Sequence, residues 1–305
     1  MSTPDFTSWS ARVLARVESA LTQWVPEAAP AGLGLAMRHG VLDGGKRLRA
    51  LLIAATAEAC GCPADHAATL RAACAMELIH GYSLVHDDMP CMDNDVLRRG
   101  KPTVHVAFGE AQALLAGDAM QTLAFELLTP TDAECPSVPA AMQAQLVRLL
   151  ARASGMVGMA GGQAIDLASV GHQLDEALLR DMHQRKTGAL LLCSVQMGAA
   201  CAQVPVGSPR WQALSDYGQA LGLAFQIVDD VLDATQSAET LGKTAGKDAE
   251  ANKPTYVSLM GLDAARAEAQ ALRLRADEAL ACTGLDGAAL LPLRALAERV
   301  VQRTS

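Results

Sequence analysis

Aromatic residues are scarce in this chain: 3 Trp, 3 Tyr and 4 Phe make up 3% of 305 residues. Strands favour aromatic and β-branched side chains, whereas the alanine and leucine that dominate here favour helix. No segment alternates apolar and polar residues long enough to suggest a sheet. An excess of basic charge is also missing. With 25 Lys+Arg against 33 Asp+Glu the net charge is −8, which argues against a generic nucleic-acid binder. The eight cysteines (Cys60, Cys62, Cys74, Cys91, Cys135, Cys193, Cys201 and Cys282) contain no CxxC pair. Cys60 and Cys62 stand too close for an ordinary metal knuckle. Reduced, mostly buried thiols in a cytoplasmic protein are expected. The N-terminal stretch "MSTPDFTSWSARVLARVESA" lacks an apolar core, so no signal peptide is expected. The uncharged run Thr187–Pro209 is interrupted by Gln196, Gln203, Pro205 and Pro209, which suits a buried core helix better than a membrane span.

Helical periodicity runs through most of the chain, broken by "WVPEAAPAGLG" (24–34), "TPTDAECPSVP" (129–139), "QVPVGSP" (203–209) and "CTGLDG" (282–287). Roughly ten apolar stretches of helical length lie between these breaks. No linker is long or polar enough to separate two domains, and no repeat of solenoid period is present. The expected architecture is all-α, one domain over 1–305, with about ten or more helices packed around a central cavity. Two tempting signatures fail. "GKT" at 242–244 resembles a P-loop, but Ser237 stands where the first glycine is required. The glycines of "GMVGMAGG" (155–162), at i, i+3 and i+6, suit close helix packing better than a dinucleotide turn.

Negative charge is concentrated in two places. In "LVHDDMPCMDNDVLRRG" (84–100), four aspartates fall within nine residues. Pro90 cannot continue the helix that carries Asp87 and Asp88, so Asp93 reaches back from a loop. In "FQIVDDVLD" (225–233), Asp229 and Asp233 are i and i+4 on one helix face. Like charges at that spacing destabilise a helix unless a cation bridges them. Flanking Ile227, Val228, Val231 and Leu232 half-bury the helix and raise the cost of unpaired charge. Facing helices can aim both clusters into one cavity. All-carboxylate sites with room for phosphate oxygens favour Mg²⁺ over zinc. His86 then reads as a packing or supporting residue and Cys91 as inert. The basic partners are "GGKRLR" (44–49), in which Lys46 and Arg49 stand three apart after glycines, then Arg98 and Arg99, then Lys186 with Lys243, Lys247 and Lys253. Together they exceed what one monophosphate needs and suit two diphosphates.

These segments, "GGKRLR", "DDMPCMD…LRRGKPTVH", "RKTGALL", "FQIVDDVLD" and "GKTAGKD", occur in the order seen in trans-isoprenyl diphosphate synthases. The chain resembles the bacterial farnesyl and geranylgeranyl diphosphate synthases from about residue 30 onward. Ala50 stands where a proline often follows GGKRLR, and Arg303 is the single late cation of the tail. The resemblance implies head-to-tail condensation of isopentenyl diphosphate with an allylic diphosphate. It implies three Mg²⁺ ions per site on Asp87, Asp88, Asp93, Asp229 and Asp233, with Arg98, Lys186, Lys243 and Lys253 clamping the leaving diphosphate. Lys46, Arg49, His80 and Arg99 would hold isopentenyl diphosphate without metal. Thr187 and Gln226 would supply oxygen dipoles to the allylic cation, and Gly188 would free the Lys186 carbonyl by disturbing its helix. Tyr82 and Ser83, five and four residues before Asp87, would form a floor that stops growth at fifteen carbons, with geranyl or geranylgeranyl diphosphate as the alternative products. A homodimer is expected by the same resemblance. A terpene cyclase would want more aromatic faces and would leave GGKRLR idle. A non-catalytic subunit of a heteromeric prenyltransferase would be expected to lose aspartates or cations that are present here. A di-iron bundle would want Glu-x-x-His pairs, which the chain lacks.

Overall fold

The computed structural model describes residues 3–42, 44–171, 174–235 and 255–302. Helices dominate: α1 (Thr3–Trp24), α2 (Leu33–Val41), α3 (Leu48–Ala59), α4 (Ala67–Asp87), α5 (Val104–Phe108), α6 (Glu110–Leu128), α7 (Ala140–Ser154), α8 (Met159–Ala168), α9 (Glu176–His183), α10 (Ala189–Cys201), α11 (Pro209–Thr235), α12 (Tyr256–Met260), α13 (Leu262–Ala281) and α14 (Leu291–Val301). The fold class is all-α, as the composition requires. One element was not foreseen, a two-residue antiparallel ladder pairing Leu97–Arg98 (β1) with Lys101–Pro102 (β2). It is too short to show as alternation. Its turn residues Arg99 and Gly100 both take positive φ (53° and 75°), the geometry that matches the twist of a tight hairpin.

The helices differ in how much of their surface is apolar, and that sets their depth. On α1 the buried residues Phe6, Trp9, Val13, Val17 and Leu21 form one stripe, so α1 lies on the outside against α3 and α4. The apolar residues of α4 and α10 surround the helix, and both are buried on nearly every side. Neighbours in contact run α6–α4–α3–α10–α11–α13. The uncharged run around α10 is therefore core, as its proline and glutamine breaks suggest. Among the described residues no helix is long and apolar enough to cross a membrane.

Where helices approach closely, glycine makes the room. A Cβ on Gly198 of α10 would stand 2.5 Å from the Ile53 carbonyl oxygen of α3. Of the glycines in 155–162, the interhelical contact falls to Gly162, whose Cβ would lie 2.2 Å from the Lys186 backbone nitrogen. Gly158 and Gly161 are crowded by carbonyls of their own turn, which corrects the expectation of an i, i+3, i+6 packing stripe.

The motif GGKRLR opens α3 and divides its cations between two tasks. Arg47, held at φ 45°, turns inward. Its Nε donates to Glu18 at 2.7 Å and its Nη1 to Glu77 at 3.2 Å, and it also donates to the Val41 carbonyl. Glu77 of α4 is 2% exposed and its other oxygen accepts the Ala50 amide of α3 at 3.1 Å. One buried carboxylate thus neutralises Arg47 and caps α3 where the helix dipole favours negative charge. Burial works against the charge of Arg47, but Glu77 and Glu18 outweigh it and its pKa is raised.

Candidate active site

The first acidic cluster sits at the C-terminus of α4, where the macrodipole disfavours negative charge. α4 ends at Asp87, and Asp229 and Asp233 stand one turn apart on α11. The chain after α4 turns at Pro90 and folds back so that the Asp93 amide donates to the Asp87 carbonyl at 2.9 Å. Asn94 and Asp95 donate likewise to Met89 and Asp88, which fixes the loop beside the helix end. Asp87 and Asp229 line one cavity of about 560 Å³. Burial beside Asp93 and Asp88, relieved in part by Lys186 and Arg98, pushes the Asp87 carboxyl up to about 6.

The cations of the same cavity come from three elements. Lys186 donates from Nζ to Asp166 of α8 at 2.6 Å. Burial opposes its charge, yet Asp166 and Asp87 raise its pKa and keep it cationic. Arg99 reaches from the hairpin to donate to the Gly44 carbonyl at 2.7 Å. Its guanidinium lies over Gly45, where a Cβ would meet Nη2 at 2.6 Å. The glycines before Lys46 therefore make room for a guanidinium as well as a turn. Arg49, buried on α3, and His80 on α4 complete this wall. Burial, then Arg49, Arg99, Arg98 and Arg47, push His80 well below the ordinary histidine range, so it is a neutral hydrogen-bonding group.

The cavity thus has carboxylates from two helices, flanking guanidiniums and an ammonium, and an apolar wall that includes Leu190 and Phe225. That combination suits a diphosphate carrying a hydrocarbon tail. A family model described as polyprenyl synthetase matches residues 31–282. The chain belongs to the polyprenyl synthetase family. It is accordingly an enzyme of prenyl transfer. It is 45% identical over 268 residues to farnesyl diphosphate synthase of Escherichia coli, covering 88% of each chain. Identity is 44% over 302 residues to geranylgeranyl pyrophosphate synthase 12 of Arabidopsis thaliana, covering 98% of this chain and 82% of that one. The solved geranyltransferase of Helicobacter pylori, complexed with magnesium and isoprenyl diphosphate, superposes with a TM-score of 0.80 at 32% identity, covering 100% of this chain and 97% of that one.

In this polyprenyl synthetase the two residues of each Asp-Asp pair part company. Asp87 and Asp229 line the cavity, while Asp88 and Asp230 are buried. Asp88 takes a two-pronged pair with Arg98, with Nε at 3.0 and 2.9 Å from its oxygens and Nη2 at 2.6 Å from Oδ1. That geometry differs from the metal-facing role expected for Asp88. Burial opposes the charge of Arg98, but Asp88 outweighs it and the guanidinium stays charged at the cavity edge. Asp233 is half-buried one turn beyond Asp229, and Lys46 is exposed. Lys243, Lys247, Lys253 and Arg303 lie outside the described residues.

The helix is disturbed where Gly188 suggested it would be. Residues Gln184–Gly188 form a π segment joining α9 to α10, the widened turn that often marks a functional site. The demand for glycine here comes from across the contact, since a Cβ on Gly222 of α11 would stand 2.9 Å from the Gly188 Cα. Thr187 lines the cavity and donates to Gln226 at 2.9 Å. Tyr82 also lines it. Its ring meets His86 edge-on at 5.7 Å. His86 is a supporting residue: Nε2 sits 3.0 Å from the Leu114 carbonyl, and a Cβ on Gly117 would fall 2.0 Å from that nitrogen. Ser83 donates to the His80 carbonyl at 2.8 Å.

Sequence reading missed Asp166 and Gln163, and it gave Asp230 no task apart from its acidic cluster. Gln163 lines the cavity with both amide atoms shielded and without a partner among the described residues, an arrangement worth about 1–3 kcal/mol against the fold unless a ligand meets it. Asp166 and Gln163 are three apart on α8, a helical spacing, but neither stands in a charge cluster that would single it out.

Proposed function

We propose that this enzyme condenses isopentenyl diphosphate head-to-tail with dimethylallyl or geranyl diphosphate and releases farnesyl diphosphate. The observation that carries this reading is the shared cavity, lined by Asp87 of α4 and Asp229 of α11 together with Tyr82. Among the described residues no three acidic, His or Cys side chains converge tightly enough to enclose a metal by themselves. Carboxylates with room between them fit Mg²⁺, which takes few protein ligands and completes its shell with phosphate oxygens and water. Asp87, Asp93, Asp229 and Asp233 would hold up to three such ions, and bound Mg²⁺ supplies neutralisation of the charge that grows on the departing diphosphate.

The chain's own groups do the rest. Arg98 and Lys186, with Lys243 and Lys253, grip the leaving diphosphate, and Lys186 is already cationic through Asp166. Arg49, His80, Arg99 and Lys46 hold isopentenyl diphosphate beside it. Neutral His80 donates a hydrogen bond without adding repulsion to the guanidiniums around it. Thr187 and Gln226 turn oxygen towards the allylic carbon as its C–O bond breaks. The final proton passes to the departing diphosphate, so no side-chain base is required. Tyr82, about 7–8 Å along α4 from Asp87, blocks growth past fifteen carbons.

We take the chain as a single polyprenyl synthetase domain, supported by α11, whose side chains enter both clusters of buried apolar residues. A homodimer is supported by exposed Leu114 and Leu115 on α6 beside exposed Val106 and Leu35. Eight free thiols suit the reducing cytoplasm. The test is purified protein with Mg²⁺, isopentenyl diphosphate and each allylic primer in turn, with products sized by mass spectrometry. A fifteen-carbon diphosphate is expected. A twenty-carbon product would assign the geranylgeranyl alternative. No elongation with any primer would leave the non-catalytic subunit as the better reading.

A further inference from the structure

Four groups run in line from the cavity wall into the core. The Thr187 hydroxyl donates to Gln226 Oε1 at 2.9 Å, Gln226 Nε2 donates to Asp230 Oδ1 at 2.9 Å, and Asp230 Oδ2 accepts the Tyr256 backbone N–H at 2.8 Å. Thr187 faces the cavity, whereas Asp230 is 4% exposed and turned away from it. The direction of each bond follows from the last. A carboxylate oxygen only accepts, so Gln226 must present its NH₂ to Asp230. Its carbonyl oxygen is then the end that meets Thr187, and Thr187 must be the donor. The threonine proton points into the protein and its lone pairs are left for the cavity.

We propose that Asp230 is a positioning residue that fixes the polarity of Thr187, so that the group facing the reacting carbon is an acceptor and never an O–H. The proposal rests on Thr187 and Gln226 acting as oxygen dipoles in the ionisation. It gives the inward aspartate of the second Asp-Asp pair a task separate from metal binding. A reversed Thr187 would set the positive end of its dipole against the developing cation, and the loss would fall on the chemical step.

Asp230→Asn tests this with almost no change of shape. The asparagine oxygen keeps the Tyr256 N–H, and its NH₂ now confronts Gln226. The glutamine amide must rotate, donate to Thr187 and turn the threonine proton into the cavity. We expect kcat to fall about 100-fold, the scale of one misplaced dipole, with KM for both diphosphates within about threefold, as for an interaction made in the transition state. Adding Gln226→Glu to Asp230→Asn restores an acceptor towards Thr187 and should recover about tenfold in kcat, whereas Gln226→Glu alone sets two carboxylates against each other and should lower it. Losses from mere structural damage would accumulate in the double variant. Asp230→Asn within about threefold of wild type, or a double variant no faster than Asp230→Asn, overturns the proposal. Wild-type kcat in both Thr187→Val and Gln226→Leu would instead overturn the dipole assignment beneath it. Should Asp230→Asn lose its fold by circular dichroism, the double variant must still outpace Gln226→Leu by about tenfold, and equal rates overturn the polarity argument.

Discussion

Replacing Tyr82 by alanine removes a ring that is 8% exposed and packed against the His86 edge. The ring lines the cavity, so its removal enlarges the space there. The expected outcome is a shift from fifteen-carbon to longer products, read by mass spectrometry, and an unchanged product spectrum would remove the floor assignment. His183 carries a second prediction. It is buried, stacked on Tyr256 at 5.5 Å, and neither ring nitrogen has a hydrogen-bond partner among the described residues. Burial, countered by Asp166 and reinforced by Lys186, depresses its pKa to about 4. A histidine lowered on folding contributes stability that is present above its unfolded pKa near 6.5 and is lost as pH falls towards 4. The slope should total up to about 3 kcal/mol across that window. His183→Phe should flatten this part of the stability–pH curve measured by denaturant unfolding; an identical slope in the variant would assign it to other groups.

Between elements, Arg47 pairs with half-exposed Glu18 and buried Glu77, which ties α1, α3 and α4 together. Arg47→Met strands a carboxylate that is 2% exposed and should cost about 3–5 kcal/mol in urea unfolding. Arg47→Met with Glu77→Leu should be milder than Arg47→Met, since no uncompensated charge remains. The basic motif showed from sequence which positions could grip phosphate, but the side that each cation faces depends on the unusual φ of Arg47. The same limit applies to the Asp-Asp pairs. Successive residues on a helix point about 100° apart, so one of each pair had to turn inward. Which one did so depends on Arg98 and Gln226, partners supplied by tertiary contact. Pro90, by contrast, acts through its own ring, and the break it makes after Asp87 was legible at once. The hairpin at 97–102 was not, because two residues per strand leave no period to read.

For the whole molecule, the all-α class followed from composition, and the facing of α4 and α11 from two acidic clusters that each needed a cation. The identity of the intermediary between them has a direct thermodynamic signature. Mg²⁺ and inorganic diphosphate together should stabilise the protein by about 4 kcal/mol at 1,000 times their apparent Kd, seen as a rise in Tm, while either alone should do much less. Asp87→Asn should abolish most of the joint rise. A joint effect no larger than the sum of the separate ones would argue against carboxylates and diphosphate sharing ions.

The π segment at 184–188 bears on how this chain can change by inheritance. A π turn holds one residue more than the α-helix around it, so the loss of one codon within 184–188 leaves a regular helix with α9 and α10 still in their seats. The same deletion elsewhere in either helix would swing everything beyond it by about 100°. At this one place a deletion would therefore spare the fold while redirecting Lys186 and Thr187. A relative carrying a one-residue gap here would be expected to fold as this protein does and to have lost its chemistry.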